Sequence, residues 1–86
     1  MITIKLLGGA RKSFDSESII LDVNSITIGD LLEHLLSIKP NNTLDLDTKN
    51  ILVAVNGIDS SALEGRNTLI QTNDTVSIIP VIHGGA

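Results

Sequence analysis

A chain of 86 residues makes one domain with a single core, close to the size at which folding buries only about 60 to 65% of the unfolded surface. With no cysteine it has no disulfide, no thiolate metal site and no catalytic thiol, so any sulfur chemistry must use borrowed sulfur. Six basic against ten acidic residues, a net charge of −4, one Phe and no Trp or Tyr provide neither a footprint for phosphate backbones nor a platform for stacked bases, which argues against direct nucleic-acid binding.

The start, Met1 to Leu7, carries one lysine and stops being apolar at Gly8, so it reads as neither a signal peptide nor a membrane span. Without a secretory context, the formal glycosylation sequons at Asn41 to Thr43 and Asn73 to Thr75 carry no meaning, and the cytoplasm is the expected location. Ile2, Ile4 and Leu6 alternate with Thr3, Lys5 and Leu7, the two-residue period of a strand with one face in a core. Gly8 and Gly9 mark a turn, and the segment Ser18 to Val23 reads as a second strand returning antiparallel, a hairpin over residues 1–23. The run Gly8-Gly9-Ala10-Arg11-Lys12-Ser13 is not a phosphate-binding loop, because Arg11 stands where that motif needs a glycine directly before the lysine.

Thr27 has the features of a helix N-cap. Its hydroxyl is placed to accept from the N–H of Asp30, whose carboxylate falls in the favourable first turn, and Ile26 and Leu31 have the spacing of a hydrophobic staple. A helix from Ile28 follows, with Leu31, Leu32, Leu35, Leu36 and Ile38 as one apolar stripe, ended by Pro40, Asn41 and Asn42. His34, beside Glu33 and Ser37, reads as a solvated surface residue, since no second His or carboxylate cluster has metal spacing with it. Thr43 to Asn50 is a loop anchored by one or two of its leucines. Ile51 to Val55 forms a third strand that ends in the turn signal Asn56-Gly57. Residues 60–72 hold a short strand or turn around Ala62, Leu63 and Leu69, and Asn73-Asp74 turns the chain into a final strand from Thr75.

The order of elements implies an α+β, β-grasp (ubiquitin-like) fold, a mixed sheet of four to five strands with one main helix. The first and last strands would lie parallel in the middle, joined by the helix as a crossover. The expected division is a domain over 1–82 and a flexible tail over 83–86. Gly84 and Gly85 have no folding role, because ordering glycine costs more backbone entropy than ordering any other residue. They suit a tail that enters a narrow site on another protein, and the bland alternative is a frayed terminus. Three or four residues beyond the strand would reach roughly 10 to 13 Å.

Ile51-Leu52-Val53-Ala54-Val55-Asn56-Gly57, Asn73-Asp74-Thr75-Val76 and Ile79-Pro80-Val81-Ile82-His83-Gly84-Gly85 resemble, in that order, the ubiquitin-like sulfur carriers of molybdopterin and thiamine synthesis. The closer resemblance is to the ubiquitin-related modifier and its archaeal relatives, with a similar Gly8-Gly9-Ala10 turn and a His83-Gly84-Gly85 ending. It covers most of the chain and implies a substrate of another enzyme, not a catalyst. In that mechanism an ATP-dependent, E1-like activating enzyme adenylates the carboxylate of Gly85. Either a persulfide sulfur then replaces AMP to give a thiocarboxylate, or the activated carbonyl passes to a lysine of a target protein. No cofactor is bound by the chain itself, ATP is used by the partner, and the free protein is a monomer.

Ala86 departs from the family pattern, because it puts the reactive carboxylate on the wrong residue. The expectation is a precursor from which a processing protease removes Ala86. The competing readings are a residue introduced in preparation and a relative that never enters the pathway. Docking needs a surface as well. If Ile2, Ile4, Leu6, Val76 and Ile78 face the helix, strand alternation turns Leu7, Leu52, Ala54 and Ile79 to the open face beside Val81, an apolar partner patch, with His83 a further candidate contact. Three functions remain open: sulfur carrier, protein modifier (by way of an isopeptide bond), and a non-conjugated interaction module. The receiving pathway, whether tRNA thiolation, molybdopterin biosynthesis or protein tagging, is not written in the residues. An enzyme acting alone has no support, since no carboxylate pair or nucleophile beside a histidine is placed by the pattern.

Overall fold

A computed structural model describes residues 1–81. Strand β1 (Ile2–Leu6) pairs antiparallel with β2 (Ser18–Leu21), and the connection between them contains a short helix, α1 (Gly9–Phe14). Strand β3 (Ser25–Thr27) leads into the main helix α2 (Ile28–Ile38). Strand β4 (Ile51–Val55) turns at Asn56-Gly57 into β5 (Ile58–Asp59). Two 3-10 turns, Ser60–Ala62 and Gly65–Asn67, then precede β6 (Leu69–Gln71) and the last strand β7 (Thr75–Pro80).

The five-stranded sheet has the order β2-β1-β7-β4-β5, with β1 and β7 parallel at its centre and the remaining pairs antiparallel. This is the β-grasp arrangement. A separate pair, β3 with β6, closes one end. Alternation along the strands sends Ile2, Ile4 and Leu6 of β1 and Val76 and Ile78 of β7 to one side, all essentially inaccessible to solvent. There they form one cluster with Ile28, Leu31 and Leu35 of α2.

Helix α2 begins as its residues dictate. Thr27 is extended, with φ −77° and ψ 157°, and its Oγ1 accepts from the N–H of Asp30 at 3.2 Å. The apolar stripe is narrower than the sequence suggests: Leu31, Leu32 and Leu35 are buried, but Leu36 and Ile38 are 46% and 43% exposed. Helix rotation carries these last two past the edge of the sheet. His34 is half-buried, not fully solvated, and its carbonyl accepts from Ser37 Oγ.

The expected tight turn at Gly8-Gly9 is corrected by α1. Gly8 takes φ +53°, a region that favours glycine, and the good helix formers Ala10, Arg11 and Lys12 follow it. Ala10, Ser13 and Phe14, spaced three and four apart, turn inward and make the short helix a plug for the core. The second strand stops at Leu21, two residues short of Val23. Strands β3 and β5, three and two residues long, are too short to show a period in the sequence. In the loop before β4, Leu46 is the buried anchor and Leu44 is 52% exposed.

Candidate functional site

Strand β7 sits between β1 and β4; its pairing with β1 reaches Ile78, and its pairing with β4 continues to Pro80. Ile78 O accepts from Leu7 N at 3.0 Å, and Val81 N donates to Asn50 O at 2.8 Å. Pro80 lies against the start of α1, where a Cβ added at Gly9 would stand 3.8 Å from its ring. The point of exit is therefore fixed by hydrogen bonds on one side and a proline contact on the other. Ile82, His83, Gly84, Gly85 and Ala86, and with them the boundary expected between 82 and 83, lie outside the described residues.

The residue that receives Val81 is positioned by a turn of its own. Asp47 Oδ1 accepts from Lys49 N at 3.0 Å, Asp47 Oδ2 accepts from Asn50 Nδ2 at 2.7 Å, and Asp47 O accepts from Asn50 N at 3.2 Å. The Asn50 side chain and the Lys49 N–H, favouring the ionised form, hold the Asp47 carboxyl below its usual value. Nothing in the sequence reading singled this turn out, although an aspartate two and three residues before its donors is the spacing of such a motif.

On the sheet face away from α2, register places Ile79 opposite Leu52 of β4, and Leu7 continues β1 on the same side. Leu7 is 40% and Val81 46% exposed, and Leu52 and Ile79 are half-buried. Leu52 and Ile79 thus share the open face, Leu7 follows directly on β1, and Val81 is exposed just beyond β7. Ala54 does not add surface to it: the residue is 9% exposed, because its methyl group lies low between Ser77 of β7 and Asp59 of β5. A shallow depression containing Lys5, Leu7, Arg11 and Glu17 borders the patch. There Arg11 Nη2 and Glu17 Oε1 form an ion pair with side chains 50% and 80% exposed, a contact that solvent screens to little stabilisation.

Among the described residues, no group of three or more His, Cys, Asp or Glu side chains is placed to hold a metal ion. None of the helices there is long and apolar enough to cross a membrane. What the arrangement offers is mechanical: a rigid central strand ending at Pro80, next to an apolar surface from three strands.

The ThiS family model matches residues 4–85, a span that includes both terminal glycines. No curated protein matches the chain significantly. Among solved structures, Urm1 from Trypanosoma brucei is 27% identical with a TM-score of 0.78, covering 98% of this chain and 94% of that one. Urm1 from Sulfolobus solfataricus is 25% identical with a TM-score of 0.59, covering 92% of this chain and 99% of that one. A chain of the Amycolatopsis orientalis BexX/CysO complex, at 19% identity, shares the fold with a TM-score of 0.72, covering 99% of this chain and 100% of that one.

Proposed function

Since the chain belongs to the ThiS family of ubiquitin-like sulfur carriers and modifiers, we propose that its working group is the carboxylate of Gly85, exposed by cleavage of the Gly85–Ala86 bond. The observation that carries this reading is that the family match runs through Gly84 and Gly85, four and five residues after the central strand β7 ends at Pro80. The Gly85 carboxylate attacks the α-phosphorus of ATP held by an E1-like activating enzyme, and pyrophosphate leaves. A persulfide sulfur then attacks the acyl adenylate, AMP departs, and a thiol takes over the remaining sulfur–sulfur bond to release the thiocarboxylate. A lysine amine of a target protein attacks the same adenylate to give an isopeptide bond, the modifier branch of the same chemistry. In both branches the chain is a substrate and binds no cofactor of its own.

Glycine at both positions lets the backbone pass through a channel in which a Cβ would collide, and the rigid base limits the orientations the tail must give up on docking. The patch of Leu7, Leu52, Ile79 and Val81 supplies binding energy remote from the reacting carbonyl, with His83 as a further contact. A cytoplasmic setting, where ATP and protein persulfides are both present, suits these steps. Mass spectrometry of the protein isolated from its own cells tests the processing step: a mature chain ending at Gly85 is expected, and retention of Ala86 in every molecule would remove the chemistry.

A further inference from the structure

We propose that the cleft on the helix side of the sheet, between α2 and β4, is a second docking site that takes an acidic segment with aliphatic anchors from a protein partner. The open cleft has a volume of about 400 Å³. Its floor is apolar, made by Ile28 and Leu32 of α2 and by Ile51 and Val53 of β4. Lys49, Arg66, Ser60 and Ser61 belong to the polar part of its lining.

Charge decides the occupant. The chain as a whole carries −4 with only six basic residues, yet two of the six line this cleft and no carboxylate does. Neither cation makes an ion pair within 4 Å among the described residues. Of the acids closest in sequence, Asp59 accepts from Ser61 N, Asp47, whose charge also acts on Lys49, accepts from Lys49 N and Asn50, and Glu64, two residues before Arg66, does not line the cleft. Arg66 packs against the first turn of α2, its Nε standing 3.6 Å from where a Cβ on Gly29 would be, an ordinary van der Waals separation. An aliphatic side chain on the floor, flanked by carboxylates that reach Lys49 and Arg66, satisfies both halves of the cleft. A buried small molecule does not fit as well, since such ligands lose most of their surface to an enclosing pocket and this cleft lies open.

The cleft faces away from the Leu7 and Ile79 surface, because Ile51 and Val53 alternate with Leu52. It nevertheless adjoins the exit of the tail, as Ile51 pairs with Pro80 and Asn50 holds Val81. A partner could thus occupy it while the tail is engaged elsewhere. Binding here does not depend on the chemistry of Gly85.

The test is a titration of the full-length, isotopically labelled chain, followed by amide shifts, with a synthetic ten-residue peptide whose Leu-Ile-Leu centre is flanked by glutamates. Saturable shifts at Thr48, Ser60, Ser61 and Gly65 are expected. They should weaken at least tenfold in the Lys49→Glu, Arg66→Glu double variant and also when the peptide glutamates are replaced by glutamines. The peptide arm needs no variant of the protein, so it decides the matter even if the double variant is unstable. Absence of saturation at millimolar peptide, indifference to the glutamine replacement, shifts centred on Leu7 and Ile79, or the same shifts with inorganic phosphate alone would each overturn the proposal.

Discussion

Asp74 shows how much one side chain can organise. Its Oδ2 accepts from Gln71 N at 2.8 Å and its Oδ1 accepts from Asn56 Nδ2 at 3.0 Å, while Asn56 Oδ1 accepts from Thr75 N. The turn into β7 and the turn out of β4 are thereby tied together. The backbone N–H of Gln71, and after it the Asn56 amide, hold the Asp74 carboxyl below its ordinary value. A depressed folded-state value stabilises the fold above the unfolded value near pH 4, and this contribution is lost as the pH falls through the folded value. Asp74→Ala should therefore cost about 1 kcal/mol at neutral pH, or roughly 4 to 8 °C in a melt. The deficit relative to wild type should shrink as acid is added below about pH 4. A deficit that persists unchanged into acid would show that the carboxylate charge is not what holds the two turns.

At the scale of elements, what was legible in the residues was whatever had a long period or a strong cap. Ile2, Ile4 and Leu6 announce β1, Thr27 and Asp30 announce the start of α2 at the residue observed, and Asn56-Gly57 forms its hairpin with φ of 52° and 85°, both left-handed as such a turn requires. The short elements were not legible. Three residues in β3 and two in β5 span too little chain for a period to register, and they are strands only because β6 and β4 lie beside them. Helix α1 hid behind two glycines that read as a tight turn. In the site, alternation found Leu7, Leu52 and Ile79, but it could not tell that Ala54 would be overshadowed by its neighbours. The Asp47 turn hides in a polar loop with no period of its own, and it bears on the end of β7 through Asn50 and Val81. Asp47→Ala should release Asn50 and speed amide exchange at Val81 several-fold, with little change in exchange at Val76 and Ile78 in the middle of the strand. Unchanged exchange at Val81 would mean that the exit is held without the turn.

For the whole molecule, a sheet with one covered and one open face divides two tasks. The covered face carries Ile4, Val76 and Ile78, fully buried beneath Leu35 of α2, and keeps the body rigid. The open face presents Leu7, Leu52 and Ile79, with Val81 just beyond it, all outside the buried core and, on the proposed account, the surface that docks to the partner. Ile79→Asp should accordingly leave a cooperative melt within a few degrees of wild type while lowering activation by the partner enzyme at least a hundredfold, about 3 kcal/mol, as expected for a charge in a buried contact. Retained activation in the variant would place the docking surface elsewhere. The central claim is tested most directly by incubating a chain ending at Gly85 with its activating enzyme, ATP and a persulfide donor, treating with thiol, and weighing the product. The account predicts an ATP-dependent mass gain equal to one sulfur in place of one oxygen, localised to the C-terminal residue. An unchanged mass, with no pyrophosphate released and no isopeptide-linked product on added target lysines, would contradict it.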